Sequence, residues 1–150
     1  MKEIKLGTIG SGVIVHSILD NVMVTDGITL EAVYSRNADK AAALAKEYGC
    51  QKTYTDMDAF LADESINLVY IATPNLLHFP QAKKALLAGK NVLLEKPFTV
   101  TLEEAVECMK AEKKSGKVLS IGFQPRLDAN MQMIKKIVES GELGQIYYIQ

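Results

Sequence analysis

Ile4-Lys5-Leu6-Gly7-Thr8-Ile9-Gly10-Ser11-Gly12 decides how this chain is read. Its first six residues form a short strand-like run, and Gly-Ser-Gly follows without a linker. Val13-Ile14-Val15-His16-Ser17-Ile18-Leu19 then reads as an apolar helix. A strand that turns on glycines straight into a helix sets the helix N-terminus at the carboxyl end of the strand. Free N–H groups and the helix dipole favour an anion there. Gly10 permits the tight turn, and Gly12 lets a phosphate approach the backbone where a Cβ would obstruct it. A pyrophosphate is therefore expected on Gly10, Ser11, Gly12, Val13 and Ile14. The third small position of such a fingerprint is Val15 here. Its bulk is expected to push the helix slightly outward without removing the phosphate-binding backbone.

A glycine pair in a strand-to-helix turn can be geometric only, so its context matters. Strands and helices alternate along the rest of the chain. Thr29–Tyr34 reads as a second strand, and Asn37 caps a helix over Ala38–Tyr48 that Gly49 ends. Lys52–Tyr54 is a short strand, and Asp56 caps a brief helix through Leu61. Asn67–Ala72 is apolar almost throughout, as a buried parallel strand should be. A helix over Phe79–Ala88 has Pro80 in its first turn and Gly89 at its end. Asn91–Glu95 is the next strand. Thr101 and Glu104 have capping-box spacing for a helix to Ser115, stopped by Gly116. Lys117–Ile121 is another strand, Asp128–Ser140 a helix, and Gln145–Ile149 a last strand. This alternation predicts an α/β fold, a Rossmann doubly wound parallel sheet with helices on both faces. Residues 1–121 are the expected nucleotide-binding domain. Gly122-Phe123-Gln124-Pro125-Arg126 reads as a linker, and residues 122–150 as the truncated opening of a second α+β domain. The final strand has nothing after it to pair with, so the chain is expected to be a fragment.

Composition narrows the partners. The 150 residues suffice for one sizeable core. A formal net charge of -1 gives no global reason to expect nucleic acid. No apolar run is long enough to cross a bilayer, and the N-terminal residues lack the form of a secretion signal. Cys50 and Cys108 lie far apart without metal-type spacing, so no metal site and a cytoplasmic location are expected.

Three further segments carry candidate chemistry. An acidic residue normally ends the second strand of an NAD-binding domain and holds the ribose 2′-OH. Tyr34-Ser35-Arg36-Asn37 stands there instead, and Glu31 lies too early in the strand to serve. Ser35 can hydrogen-bond a 2′-phosphate, and Arg36 can pair with one or stack on adenine. Both lean toward NADP(H), with NAD(H) still open and a solvated Arg36 the plainer alternative. Ala72-Thr73-Pro74-Asn75 follows the fourth strand on the ligand edge of the sheet, where Thr73 and Asn75 can contact the nicotinamide ribose. His78 fits equally a site role and a packing or capping role. Glu95-Lys96-Pro97 follows the fifth strand on the same edge. A Lys-Pro bond there can be cis. Lys96 can join in proton transfer beside a nicotinamide, although most lysines at strand ends are simply solvated.

Gly10-Ser11-Gly12, Ala72-Thr73-Pro74-Asn75 with His78, and Glu95-Lys96-Pro97 together resemble the Gfo/Idh/MocA oxidoreductases, relatives of glucose–fructose oxidoreductase and inositol dehydrogenase. The run from Gln81-Ala82-Lys83-Lys84-Ala85-Leu86 to Leu94-Glu95-Lys96-Pro97-Phe98 is especially similar. The resemblance spans nearly the whole chain. It implies a two-domain NAD(P)-dependent enzyme acting on sugars, polyols or related hydroxy compounds, with Lys96 at the catalytic lysine position. It places Thr73, Pro74, Asn75, His78, Glu95 and Pro97 along the cofactor and substrate cleft. The family's catalytic aspartate and histidine would lie in the second domain, beyond these residues, and full-length members are commonly homo-oligomers. A nucleotide-sensing regulator of the same fold is the alternative, because function resides in sites and not in the fold. Lys96 favours the enzyme. The substrate is not legible in these residues.

Overall fold

The computed structural model describes residues 3–148. Strands and helices alternate as β1 (Ile4–Ile9), α1 (Val13–Val22), β2 (Ile28–Tyr34), α2 (Ala38–Glu47), β3 (Lys52–Tyr54), α3 (Met57–Ala62), β4 (Leu68–Ile71), α4 (His78–Leu87), β5 (Asn91–Glu95), α5 (Leu102–Ser115), β6 (Leu119–Gly122) and α6 (Ala129–Ser140). Two 3-10 turns, Asn75–Leu77 and Gln124–Arg126, precede α4 and α6. The helix starts follow the local chemistry. Asn37 accepts from Lys40 N–H at 3.0 Å, and Asp56 accepts from Ala59 N–H at 2.8 Å. Thr101 and Glu104 form the reciprocal capping box on α5.

The six strands are ordered β3-β2-β1-β4-β5-β6, and every pair is parallel. This is the doubly wound arrangement, with its switch point between β1 and β4. Alternate side chains of each strand enter different cores. Leu6, Val33 and Tyr70 pack with Val15 and Leu19 of α1 and with Ala41 and Leu44 of α2. Ile9, Tyr34, Val69, Ile71 and Leu94 pack on the other side with α3, α4 and α5 through Phe60, Ala82, Leu86 and Cys108. Val15 is completely buried in the first core. Its branched side chain is accommodated as an ordinary core residue beneath the glycine turn.

The last expected strand is a correction. Gln145–Tyr148 forms no strand, and Ile149 lies outside the described residues. The cause is the absence of a ladder partner among the described residues, since an isolated strand leaves its backbone groups to water. Phe123–Gln145 is exposed throughout, and α6 buries none of its residues. That helix presents Met131, Ile134, Ile137 and Val138 to solvent. No helix among the described residues is long and apolar enough to cross a membrane.

The amino edge of the sheet, opposite the glycine turn, is closed by a polar cluster. Asp63 accepts from Lys52 Nζ and Tyr54 O–H at 2.9 Å each, and from the Ser65 N–H and O–H at 2.9 and 2.7 Å. The buried Lys90 donates to the Asp63 and Ile66 carbonyl oxygens at 2.7 and 2.9 Å. Burial alone would raise the Asp63 carboxyl. The hydrogen bonds from Lys52, Ser65 and Tyr54 outweigh it and hold the group well below the usual carboxylate range.

A depressed carboxylate stabilises the fold above its unfolded pKa and loses that contribution as pH falls through the folded one. Asp63→Ala should therefore cost about 2 kcal/mol in urea unfolding at pH 7. The gap to the parent protein should narrow only below the unfolded value near 3.8. An equal gap at pH 7 and pH 3 would show that the carboxylate charge contributes nothing.

Candidate functional site

The carboxyl ends of β1, β2 and β4 surround a cavity of about 350 Å³, within the range of small-ligand sites. Its floor is Gly10, Ser11 and Gly12. The backbone of Gly10 has φ +122°, and a Cβ there would collide with the Ala72 carbonyl oxygen. Gly12 differs: its φ of -88° suits any residue, and a Cβ on it would meet nothing within 4 Å. Gly10 is thus required by the fold, whereas Gly12 keeps open the space above the turn. No side chain caps α1, and no acidic residue occupies its first turn. Its leading N–H groups remain available to an anion.

One wall comes from the end of β2. Ser35 Oγ accepts from Asn37 N–H at 3.2 Å, which leaves its own O–H able to donate. Arg36, Asn37 and Lys40 line the same wall. Asn37 is engaged in capping α2, so the two cations are the groups able to meet a negative charge. The opposite wall is Ala72, Thr73, Pro74, Leu77 and Gln81. Thr73 O–H donates to Gln81 Oε1 at 2.6 Å and steadies this loop against α4.

The structure therefore brings Gly10, Ser11, Gly12, Ser35, Arg36, Ala72, Thr73 and Pro74 together around one cavity. Val13 and Ile14 stand exposed on the first turn of α1, beside it in sequence but not in its lining. Asn75 opens the 3-10 turn and is exposed. His78 and Glu95 are buried beneath the loops. His78 is 1 % exposed. Its Nε2 lies 2.9 Å from the Thr73 carbonyl oxygen and its Nδ1 2.7 Å from that of Pro97. Both ring nitrogens face backbone carbonyl oxygens, and the ring donates to one or the other according to its tautomer. Glu95 is 4 % exposed and bonds to Tyr70, Gln124 and the Lys96 N–H. Lys96 and Pro97 are exposed at the end of β5, and the peptide bond between them is cis.

Lys40, Leu77 and Gln81 escaped the sequence reading. A signal for two of them existed. Lys40 is the residue whose N–H the Asn37 cap receives, which fixes it in the first turn of α2. Gln81 is three residues after His78, on the same side of a helix.

The Gfo/Idh/MocA model, an oxidoreductase family with an NAD-binding Rossmann fold, matches residues 4–123. The chain belongs to this family. An oxidoreductase of Rhizobium meliloti is 34 % identical over all of this chain and 45 % of its own length. Inositol 2-dehydrogenase of Corynebacterium glutamicum is 30 % identical over 99 % of the chain and 45 % of its own length. Among solved structures, scyllo-inositol dehydrogenase of Lactobacillus casei with bound NAD(H) and scyllo-inositol superposes with a TM-score of 0.87 at 27 % identity. That likeness covers 97 % of this chain and 43 % of the other. The chain thus spans less than half the length of these relatives. The Gfo/Idh/MocA match ends one residue beyond β6.

The residues present fit the family's dinucleotide. The turn at Gly10–Gly12 offers backbone N–H groups and a gap that a Cβ would enter, and the wall at Ser35, Arg36 and Lys40 offers hydrogen-bond donors and positive charge. The two glycines should separate fold from binding. Gly12→Ala, at the N-cap of α1, should lower urea stability by no more than about 1 kcal/mol and weaken NAD(P)H binding at least about tenfold. Gly10→Ala should lose about 2 kcal/mol or more of stability through its forced backbone and the Ala72 clash. Nucleotide fluorescence titration beside urea unfolding reads both. Unaltered binding by Gly12→Ala would remove this turn as the phosphate site.

Proposed function

We propose that the chain is the cofactor-binding part of an NADP(H)-preferring dehydrogenase that moves hydride between the nicotinamide and a hydroxyl-bearing carbon of a sugar or polyol. The observation that carries this reading is the pairing of the glycine-floored cavity with an exposed lysine on the same sheet edge. The bound dinucleotide would supply the hydride acceptor or donor, and the chain's own residues would supply position and proton traffic. Gly10, Ser11 and Gly12 would hold the pyrophosphate through backbone N–H groups. Thr73, Pro74 and Asn75 would bound the nicotinamide ribose. Lys96 would hold or release a proton at the substrate oxygen, assisted by groups outside these residues.

The preference for NADP(H) is supported by what stands after β2. No carboxylate occupies that position to accept from a ribose 2′-OH, and Arg36 and Lys40 flank Ser35 on the cavity wall. Two cations and a hydroxyl donor suit a phosphate. Residues 122–150 we read as the linker and first elements of a substrate and oligomerisation domain, supported by the uncovered apolar side of α6 and by the length of the relatives. A cytoplasmic homo-oligomer is consistent with this reading. The substrate would be chosen by that second domain.

Calorimetric titration with both cofactors tests the preference. NADP(H) should bind at least about tenfold more tightly than NAD(H), and Arg36→Ala or Lys40→Ala should abolish the difference by weakening NADP(H) alone. Tighter NAD(H) binding that Arg36→Ala leaves unchanged would refute it. For the lysine, the polypeptide carrying both domains is assayed with a panel of sugars and polyols. Lys96→Ala should cut turnover by about 100-fold or more while cofactor affinity stays within about threefold. Normal turnover would remove Lys96 from the chemistry.

A further inference from the structure

Glu95 is a buried carboxylate whose hydrogen-bond donors come from three separate parts of the chain. Its Oε1 accepts from Tyr70 O–H on β4 at 2.9 Å and from Gln124 Nε2 in the linker at 3.3 Å. Its Oε2 accepts from the backbone N–H of Lys96 at 3.2 Å. Gly122, at the end of β6, makes room for it: a Cβ there would lie 3.2 Å from Oε1. A charge taken out of water is tolerated only when its oxygens are satisfied. Here Tyr70 is itself fully buried, and its phenol is pushed well above the usual tyrosine range by burial and by the Glu95 carboxylate. It therefore stays a donor. Tyr70 and Glu95 lie on adjacent strands, with Tyr70 in register with Leu93 and Glu95 two residues further on. Their side chains accordingly project from the same face of the sheet.

We propose that Glu95, with Tyr70 and Gln124, is a positioning device: the carboxylate fixes the backbone of Lys96 at the ligand edge and ties it to the linker that leads into α6. This rests on the reading of Lys96 as the group facing substrate. Tyr70 sets the carboxylate from inside the sheet. Gln124 sets it from the linker, so a shift of the linker is felt at Lys96 through one shared oxygen pair. None of the three touches the cavity at the glycine turn, so cofactor affinity is not what they govern.

Two variants remove one donor each without changing size much: Tyr70→Phe in the sheet and Gln124→Met in the exposed linker. Amide hydrogen exchange, resolved by NMR on the 150-residue chain, reads the position of Lys96 directly. In Gln124→Met, exchange at the Phe123, Arg126 and Leu127 amides and at the Lys96 N–H should each rise at least about fivefold, with β1 and β4 amides and NADPH affinity unchanged. Tyr70→Phe should shift the Lys96 amide resonance and speed its exchange by a similar factor. If Tyr70→Phe does not fold, Gln124→Met decides alone, because its side chain is on the surface. A Lys96 amide unmoved by Gln124→Met would overturn the proposal. The exchange result does not depend on turnover, so a failure of Lys96 as the catalytic group would show in the Lys96→Ala assay and leave this test intact.

Discussion

The backbone of Gly10 lies where three strands end. Its N–H donates to the Tyr34 carbonyl oxygen of β2 at 3.2 Å, and its Cα lies so close to the Ala72 carbonyl after β4 that no Cβ fits. One residue without a side chain therefore joins the ends of β1, β2 and β4. The strand order switches direction at this point, because β1 pairs with β2 on one side and β4 on the other. The loops after β2 and β4 leave in different directions, and the cavity is the gap between them. Removing that close approach would separate the two walls and lose the site, although both cores would remain.

The second set of constraints lies beneath the loops. His78 is buried between the Thr73 and Pro97 carbonyls and donates to one of them, so its ring packs the loop after β4 against the loop after β5. Glu95 adds the linker to these loops through Gln124. Buried polar groups in a dry setting hold geometry more firmly than surface ones, provided each is satisfied. This explains a recurring pattern in the site. The half-buried Ser35 and the exposed Arg36, Lys40 and Lys96 are the ones able to reach a ligand, and the polar residues under them are engaged in holding the loops.

Most of the fold was legible because its signals are local. Asn37, Asp56 and the Thr101–Glu104 pair act within four residues of themselves, and each starts the helix read from it. The alternation of strands and helices restricted the topology to a parallel sheet. The strand expected over Gln145–Ile149 failed for the opposite reason, since a strand needs a partner that no local pattern supplies. In the site, the glycine turn and the residues after β2 and β4 were legible from their order. The buried roles of His78 and Glu95 were not, because their partners lie far off in sequence: Pro97 for one, and Tyr70 and Gln124 for the other. Residue type showed that both could bond, but not that backbone and buried donors had already claimed them.

The central claim is that the gap between the β2 and β4 loops holds a dinucleotide by its pyrophosphate on the glycine turn. A crystal structure of the chain grown with NADPH tests it most directly. The account predicts pyrophosphate oxygens within hydrogen-bond distance of the backbone N–H groups between Gly10 and Ile14, the adenosine 2′-phosphate beside Ser35, Arg36 and Lys40, and the nicotinamide on the side toward Lys96. Nucleotide bound elsewhere on the chain, or none at saturating concentration with the Gly10–Gly12 turn intact, would contradict it.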